Sequence, residues 1–228
     1  MTGTPRQDPV AGMPRQDAAA VVPVVPALAW RPVLAIAGGT GAVLLATSAG
    51  YGYFGDELYF LAAGRHPSWG YADQPPLLPL LAHAIDMVFP GSVLALRLPA
   101  VAMMVAGVVI AALIAREFGG SSRAQVLTAA AYALPGNLML TRTLSTAAVD
   151  LLLWTLASWL VIRWVRLRRD RLLLYAGLAT TIALQAKYLM VVFWAVLAVS
   201  ALLAGPPAFL RIFRRPTPSI LPCRAGFR

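Results

Sequence analysis

The sequence has little cysteine and little charge. Its one cysteine, Cys223, excludes an internal disulfide and any metal site built from several cysteines, and it leaves the redox compartment undetermined. Only 12% of the 228 residues are charged, whereas 59% are hydrophobic, and the mean hydropathy of +0.72 lies far from the balance of a soluble domain. We therefore interpret the chain as an integral membrane protein.

Acidic residues are also scarce. The chain has 9 acidic and 19 basic residues, so its net charge is +10. A nucleic-acid-binding protein would place its basic residues on one soluble face. Here they form short clusters between apolar runs, of which the densest is RWVRLRRDR at Arg163 to Arg171. This pattern indicates membrane topology and contact with anionic lipid, and it argues against a nucleic-acid partner.

Long runs with little or no charge predict an all-α fold of about six transmembrane helices. About 20 apolar residues are needed to cross the hydrocarbon core. The run 143–162 is interrupted only by Asp150, and the run 172–186 is so short that its helix would extend to Lys187. The predicted spans are residues 32–54, 98–115, 124–141, 143–162, 172–186 and 188–210.

Orientation follows from the basic residues, which are retained on the cytoplasmic side. Six spans and a cytoplasmic N-terminus leave most arginines inside the cell, so we predict a multi-pass protein of the cell membrane with this orientation. The same assignment places both histidines and most acidic residues at the external side. These residues are Asp56, Glu57, His66, Asp73, His83, Asp86 and Asp150.

The two ends of the chain are predicted to lie outside the helical region. Residues 1–31 repeat PRQD and continue into a proline-rich segment without periodicity, so we expect a disordered cytoplasmic tail. Residues 205–228 read as a basic, proline-containing tail. Because no further span follows, we expect a truncated or frameshifted product of a longer gene.

The external segment 54–96 is long for a connection in a membrane bundle, which suggests a function. Asp56 and Glu57 open a first short helix at Gly55, since acidic residues are favourable in a first turn. A second apolar helix begins after Pro75 and Pro76, and we expect Pro79 to break it. Both are predicted to be juxtamembrane helices.

Two motifs in this segment carry a family likeness. The combination of DELYF (56–60) and GYADQPPL (70–77), followed by Arg97 at the next span, resembles the GT-C membrane glycosyltransferases. More narrowly, it is similar to glycosyltransferase family 39, which includes protein O-mannosyltransferases and the aminoarabinose transferase of lipid A. The likeness covers about residues 32–204, the N-terminal half of such enzymes.

The resemblance implies transfer of a sugar from a polyprenyl-phosphate-sugar donor to an acceptor hydroxyl at the external membrane face. The transfer would invert the anomeric carbon and need no cofactor, and the acceptor would be a protein, a lipid or a glycan. The attacking hydroxyl needs a carboxylate base, and the departing phosphate needs positive charge. The resemblance assigns the role of base to Asp56 and a binding or orienting role to Glu57.

Further site residues follow from the same likeness. Asp150, in TAAVDLLLW, matches a second acidic position that would hold the acceptor or tune Asp56. Lys187, in LQAKYLM, is the main candidate for the phosphate, with Arg65 and Arg97 as further cations. Gln74 stands where the aminoarabinose branch has a lysine, so either Lys187 and an arginine suffice for the phosphate or donor binding differs in this subgroup. Tyr71 is either part of an interfacial aromatic belt or a surface for the sugar ring.

Other interpretations stay open at this point. Asp56 and Glu57 would also serve as simple helix-capping acids, and Lys187 would also serve as a snorkelling residue. A transporter would use Asp150 and Lys187 along its path, although the two related halves typical of transporters are missing from the sequence. A third interpretation is that the chain is an inactive N-terminal fragment of such a glycosyltransferase. We predict no metal site, although the histidines and nearby aspartates invite the idea.

Overall fold

The computed structural model describes residues 25–48 and 50–204. Within these ranges the chain forms α-helices and no strand, which confirms the all-α fold class. The helices are α1 (Trp30–Ser48), α2 (Gly55–Gly64), α3 (Leu77–Val88), α4 (Val93–Glu117), α5 (Ser122–Tyr132), α6 (Pro135–Leu140), α7 (Thr146–Leu167), α8 (Arg171–Leu184) and α9 (Met190–Ala204).

Three of the described helices, α1, α4 and α7, are long and apolar enough to cross a membrane. Helices α3, α8 and α9 are apolar but shorter. The chain is thus an all-α membrane protein, and the count of six spans stays a prediction. The predicted C-terminal tail and most of the predicted N-terminal tail, residues 1–24, lie outside the described residues.

The predicted span 124–141 is not one helix. Helix α5 ends at Tyr132, and α6 begins at Pro135 after an extended Leu134 with φ −62° and ψ 160°. The cause is local, since proline disfavours the helical conformation for the residue before it but fits the first position of a new helix.

The two short helices predicted in the segment 54–96 are both present. Helix α2 begins at Gly55, as the acidic first turn predicted. Helix α3 runs without interruption through Pro79, so the expected break is wrong. Pro79 is the third residue of α3, where a backbone N–H has no partner within the helix and its loss costs nothing.

Helix α4 lies at the centre of the bundle and packs against α1, α5 and α7. One apolar core joins α1, α4 and α5, and a second joins α2, α3, α7, α8 and α9 with Leu96 near the start of α4. Close crossings depend on glycine. A Cβ at Gly64 would overlap the carbonyl oxygen of Pro79 in α3, and one at Gly107 would lie 2.5 Å from the hydroxyl of Tyr132. These contacts fix the helices that carry the site.

Candidate active site

A buried ion pair between Glu57 and Arg97 organises one end of the bundle. Glu57 is fully buried and Arg97 is 3% exposed, although 40 residues separate them in sequence. Arg97 Nε donates to Glu57 Oε1 at 2.8 Å, and Arg97 Nη2 donates to Oε2 at 2.8 Å. This bidentate geometry is the strongest form of arginine–carboxylate contact.

The backbone supplies the remaining partners of this pair. The N–H of Phe54 donates to Glu57 Oε2 at 2.9 Å, and the N–H of Leu144 donates to Oε1 at 3.2 Å. Arg97 also donates to the carbonyl oxygens of Ser48 and of Gly52, the latter at 2.8 Å. The pair therefore ties together the end of α1, the start of α2, the start of α4 and the segment before α7.

The ionisation of Glu57 follows from these contacts. Burial alone would raise the pKa of its carboxyl group. The hydrogen bonds from Arg97, Phe54 and Leu144, together with the positive charge of Arg97, outweigh burial and hold the pKa below its ordinary value. Glu57 is therefore the anionic half of a charge-neutral pair, with its oxygens already engaged by the protein.

Asp56 points the other way. It is exposed, and it lines a cavity of about 750 Å³ bounded by the segment after α1, the start of α2 and the segment before α7, which we call the polar cavity because charged and hydroxyl side chains contribute to its lining. The ion pair fixes both walls, because it holds Phe54 on one side and Leu144 on the other. The lining residues are Tyr51, Gly52, Tyr53, Phe54, Asp56, Arg97, Met139, Arg142, Thr143, Ser145 and Ala147.

An apolar groove of about 620 Å³ adjoins this cavity, and Ala147 lines both. The groove follows α7 from Ala147 to Ser158, which is about 16 Å at the helical rise per residue. Its walls are mostly aliphatic and aromatic. The lining residues are Ala111, Ile114, Thr128, Tyr132, Ala147, Asp150, Leu151, Trp154, Thr155, Ser158, Lys187, Leu189 and Phe193.

Two charged residues interrupt the apolar lining of the groove. Asp150 lies one helical turn after Ala147, is 8% exposed, and has a buried Oδ1 without a hydrogen-bond partner among the described residues. Lys187, the one lysine of the chain, lines the same groove near enough to interact with Asp150 electrostatically. The structure thus brings Asp150 and Lys187 together, beside the cavity that holds Asp56.

Arg65 and Tyr71 lie apart from both cavities. Arg65 is exposed at the C-terminal end of α2, and the Tyr71 hydroxyl donates to the carbonyl oxygen of His66 at 3.2 Å. Tyr59 of α2 donates to Asp73 of the loop between α2 and α3, and this hydrogen bond raises the pKa of the tyrosine. Among the described residues, no three His, Cys, Asp or Glu side chains group as a metal site.

Sequence reasoning missed one charged residue of the polar cavity, Arg142. Its guanidinium carbon lies 5.2 Å from the centroid of the Tyr51 ring. A signal was present in the sequence, since Arg142 directly precedes the predicted span 143–162 on the external side, where arginine is uncommon.

These features define an all-α membrane protein in which a polar cavity adjoins an apolar groove. The family model described as dolichyl-phosphate-mannose-protein mannosyltransferase matches residues 73–222, roughly two thirds of the chain. The chain belongs to this family, which confirms the resemblance to GT-C glycosyltransferases. Membership points to a mannosyltransferase-type glycosyltransferase, and the family implies a polyprenyl-phosphate-linked sugar donor.

The extent of the match bears on individual residues. Arg97, Asp150 and Lys187 lie within the matched range, whereas Asp56 and Glu57 precede it. The range also extends to residue 222, into the segment that the sequence analysis set apart as a tail. No curated protein and no solved structure matches the chain.

Proposed function

We propose that the chain transfers a sugar from a polyprenyl phosphate to an acceptor hydroxyl at the external membrane face, with Asp56 as the base. The observation that carries this proposal is the position of Asp56 in a polar cavity that adjoins an apolar groove. A donor with a polar head and an isoprenoid tail needs both surfaces next to each other. The sugar occupies the cavity and the tail occupies the groove.

The reaction is a direct displacement at the anomeric carbon. The acceptor oxygen forms the new C–O bond while the bond from that carbon to the phosphate oxygen breaks, and the electron pair leaves with polyprenyl phosphate. Asp56 takes the proton of the acceptor hydroxyl. One displacement inverts the anomeric configuration. The exposed position of Asp56 leaves its carboxylate open to an acceptor that enters the cavity.

The other charged residues have supporting roles in this proposal. Glu57 and Arg97 hold the walls of the cavity in place and act on the substrate only through these walls. Lys187 supplies positive charge to the phosphate where the groove meets the cavity, and Asp150 orients the acceptor or tunes the field around Asp56. Arg65 and Tyr71, which line neither cavity, would contact only an acceptor large enough to reach over the loop between α2 and α3.

Sugar transfer in membranes tests the role of Asp56. Membranes that contain the wild-type chain or Asp56→Asn are given a radiolabelled polyprenyl-phosphate mannose and an extract of acceptors. We expect the substitution to lower transfer by about 10²- to 10⁴-fold, the usual contribution of a general base. Asp73→Asn is the matched control, because Asp73 pairs with Tyr59 outside both cavities. Equal transfer by wild type and Asp56→Asn would overturn the proposal.

A labelling experiment tests the orientation. Trp69 is 93% exposed in the loop between α2 and α3, so Trp69→Cys in a Cys223→Ser background offers a single accessible thiol. We expect a membrane-impermeant maleimide to label this thiol in intact cells. Labelling only after the cells are opened would place Asp56 on the cytoplasmic side and contradict an external site.

A further inference from the structure

The positive charges near Asp56 are not equivalent. Arg97 lines the polar cavity, but both of its Glu57 contacts measure 2.8 Å and its charge is neutralised by that buried carboxylate. Lys187 lies in the apolar groove, where it faces Asp150. Arg142 shares the polar cavity with Asp56 itself. A phosphate leaving from a sugar in that cavity would therefore meet the guanidinium of Arg142.

The contacts of Arg142 leave its charge available. Its guanidinium packs on the Tyr51 ring, and Nη1 donates to the weak acceptor Met139 Sδ at 3.7 Å. Among the described residues, no carboxylate lies within ion-pair distance of it. An arginine has five N–H donors in a planar fork that matches two phosphate oxygens, and stacking on a ring leaves the edge of that fork open.

The ion pair of Glu57 also fixes the segment that carries Arg142. Glu57 Oε1 accepts the backbone N–H of Leu144, two residues after Arg142, while Glu57 itself follows Asp56 directly. Ser145 then caps α7 by accepting the N–H of Ala148. One buried carboxylate thus links the two segments that bring Asp56 and Arg142 to the same cavity.

We propose that Arg142 binds the donor phosphate and stabilises polyprenyl phosphate as it leaves; this inference rests on the proposed function. The donor phosphodiester carries one negative charge. When the bond from the anomeric carbon to the phosphate oxygen breaks, the electron pair remains on that oxygen and the phosphate gains a second negative charge. A fixed cation therefore favours the transition state and the product over the bound donor.

Binding of the product without the sugar separates this role from the chemistry. A fluorescent short-chain polyprenyl phosphate is titrated against the purified full chain in nanodiscs, for wild type, Arg142→Gln, Arg142→Lys and Asp56→Asn. We expect Arg142→Gln to raise the Kd about 10- to 100-fold, the usual loss for hydrogen bonds to a charged group. The Kd of Arg142→Lys should fall between those of wild type and Arg142→Gln, since lysine keeps the positive charge but loses the planar fork of N–H donors. Asp56→Asn should bind like wild type.

The control is Arg171→Gln, which removes an exposed arginine at the start of α8, beyond the far end of α7. It should leave the Kd unchanged. A wild-type Kd for either Arg142 variant would overturn the inference, whatever Asp56→Asn does to transfer. If Arg142→Gln does not fold, the Kd of Arg142→Lys tests the inference. Loss of transfer in Asp56→Asn together with wild-type binding by Arg142→Gln would leave the proposed function standing and remove Arg142 from it.

Discussion

The two ends of the bundle each contain a buried glutamate bound to arginine, and the two sites differ in how completely the charges are enclosed. Glu57 has two hydrogen bonds from Arg97 and two from backbone N–H groups, and the Arg97 side chain is 4% exposed. Both Arg166 contacts of Glu117 fall on one oxygen, Oε2, with Nε donating at 2.6 Å and Nη2 lying at 2.5 Å, while Oε1 lacks a hydrogen-bond partner among the described residues.

The arginines at the second site are partly exposed. The Arg166 side chain is 24% exposed, and Arg163, whose Nε lies 3.9 Å from Glu117 Oε1, is 33% exposed. This pair links the ends of α4 and α7 in the region of the basic cluster, where Arg163 and Arg168 also stack on Trp159 and Trp164. The comparison indicates that the enclosed pair shapes a cavity, whereas the open pair links the ends of two helices.

The largest effect is expected from Glu57→Gln. The substitution leaves the buried charge of Arg97 without its counter-ion, and breaking a buried pair in this way costs about 3 to 5 kcal/mol. We expect a clear drop in the thermal unfolding temperature in detergent, together with loss of sugar transfer, since both cavity walls depend on Glu57. Unfolding at the wild-type temperature would show that the pair does not hold the walls.

A second large effect is expected from Gly64→Val. The added side chain would overlap the Pro79 carbonyl oxygen and the Cβ of His83, so α2 and α3 would have to separate. We expect a loss of about 1 to 3 kcal/mol in unfolding free energy, measured in detergent. Gly177→Ala is the control, because nothing lies within 4 Å of a Cβ at that position. Equal stability of the two variants would contradict the close crossing of α2 and α3.

The lowered pKa of Glu57 gives a pH dependence of moderate size. Its folded pKa lies below the ordinary value of 4.5, so its contribution to stability is present above about pH 4.5 and is lost as the pH falls through the folded pKa. The difference in unfolding temperature between wild type and Glu57→Gln should therefore narrow as the pH falls below 4.5. A difference that widens on acidification would reverse the assigned sign.

The smallest effect is expected from Glu117→Gln, measured by the same unfolding experiment. The Glu117 carboxylate is buried but its arginines reach solvent, so removing the carboxylate should cost less than at Glu57, on the order of 1 kcal/mol. Added salt should reduce the difference from wild type further, because exposed charges are screened. Sugar transfer should stay at the wild-type level. A loss of unfolding free energy as large as that of Glu57→Gln would contradict the difference between the two sites.

Much of the fold could be predicted from local sequence. The long apolar runs at α1, α4 and α7 identified helices of membrane-spanning length, and the acidic first turn placed the start of α2 at Gly55. Proline position was harder to interpret, because its effect depends on helix register. Pro79 falls where a helix tolerates proline, whereas Pro135 begins a new helix and divides a predicted span.

The site could be predicted only in part. Adjacent acids on a helix point in different directions, so the motif itself did not show that Asp56 faces a cavity and Glu57 faces the interior. The partner of Glu57 lies 40 residues away, and no local pattern connects it to Arg97. Tertiary packing likewise brings Asp150 and Lys187 into one groove and places Arg142 in the cavity of Asp56.

The role of Asp56 is tested most directly by a single-turnover measurement. Purified chain in nanodiscs, saturated with labelled donor, is mixed with acceptor, and the first transfer event is timed for wild type and Asp56→Asn. The account predicts normal donor binding by both proteins and a first turnover slower by about 10²-fold or more in Asp56→Asn. A first turnover at the wild-type rate in Asp56→Asn would contradict it.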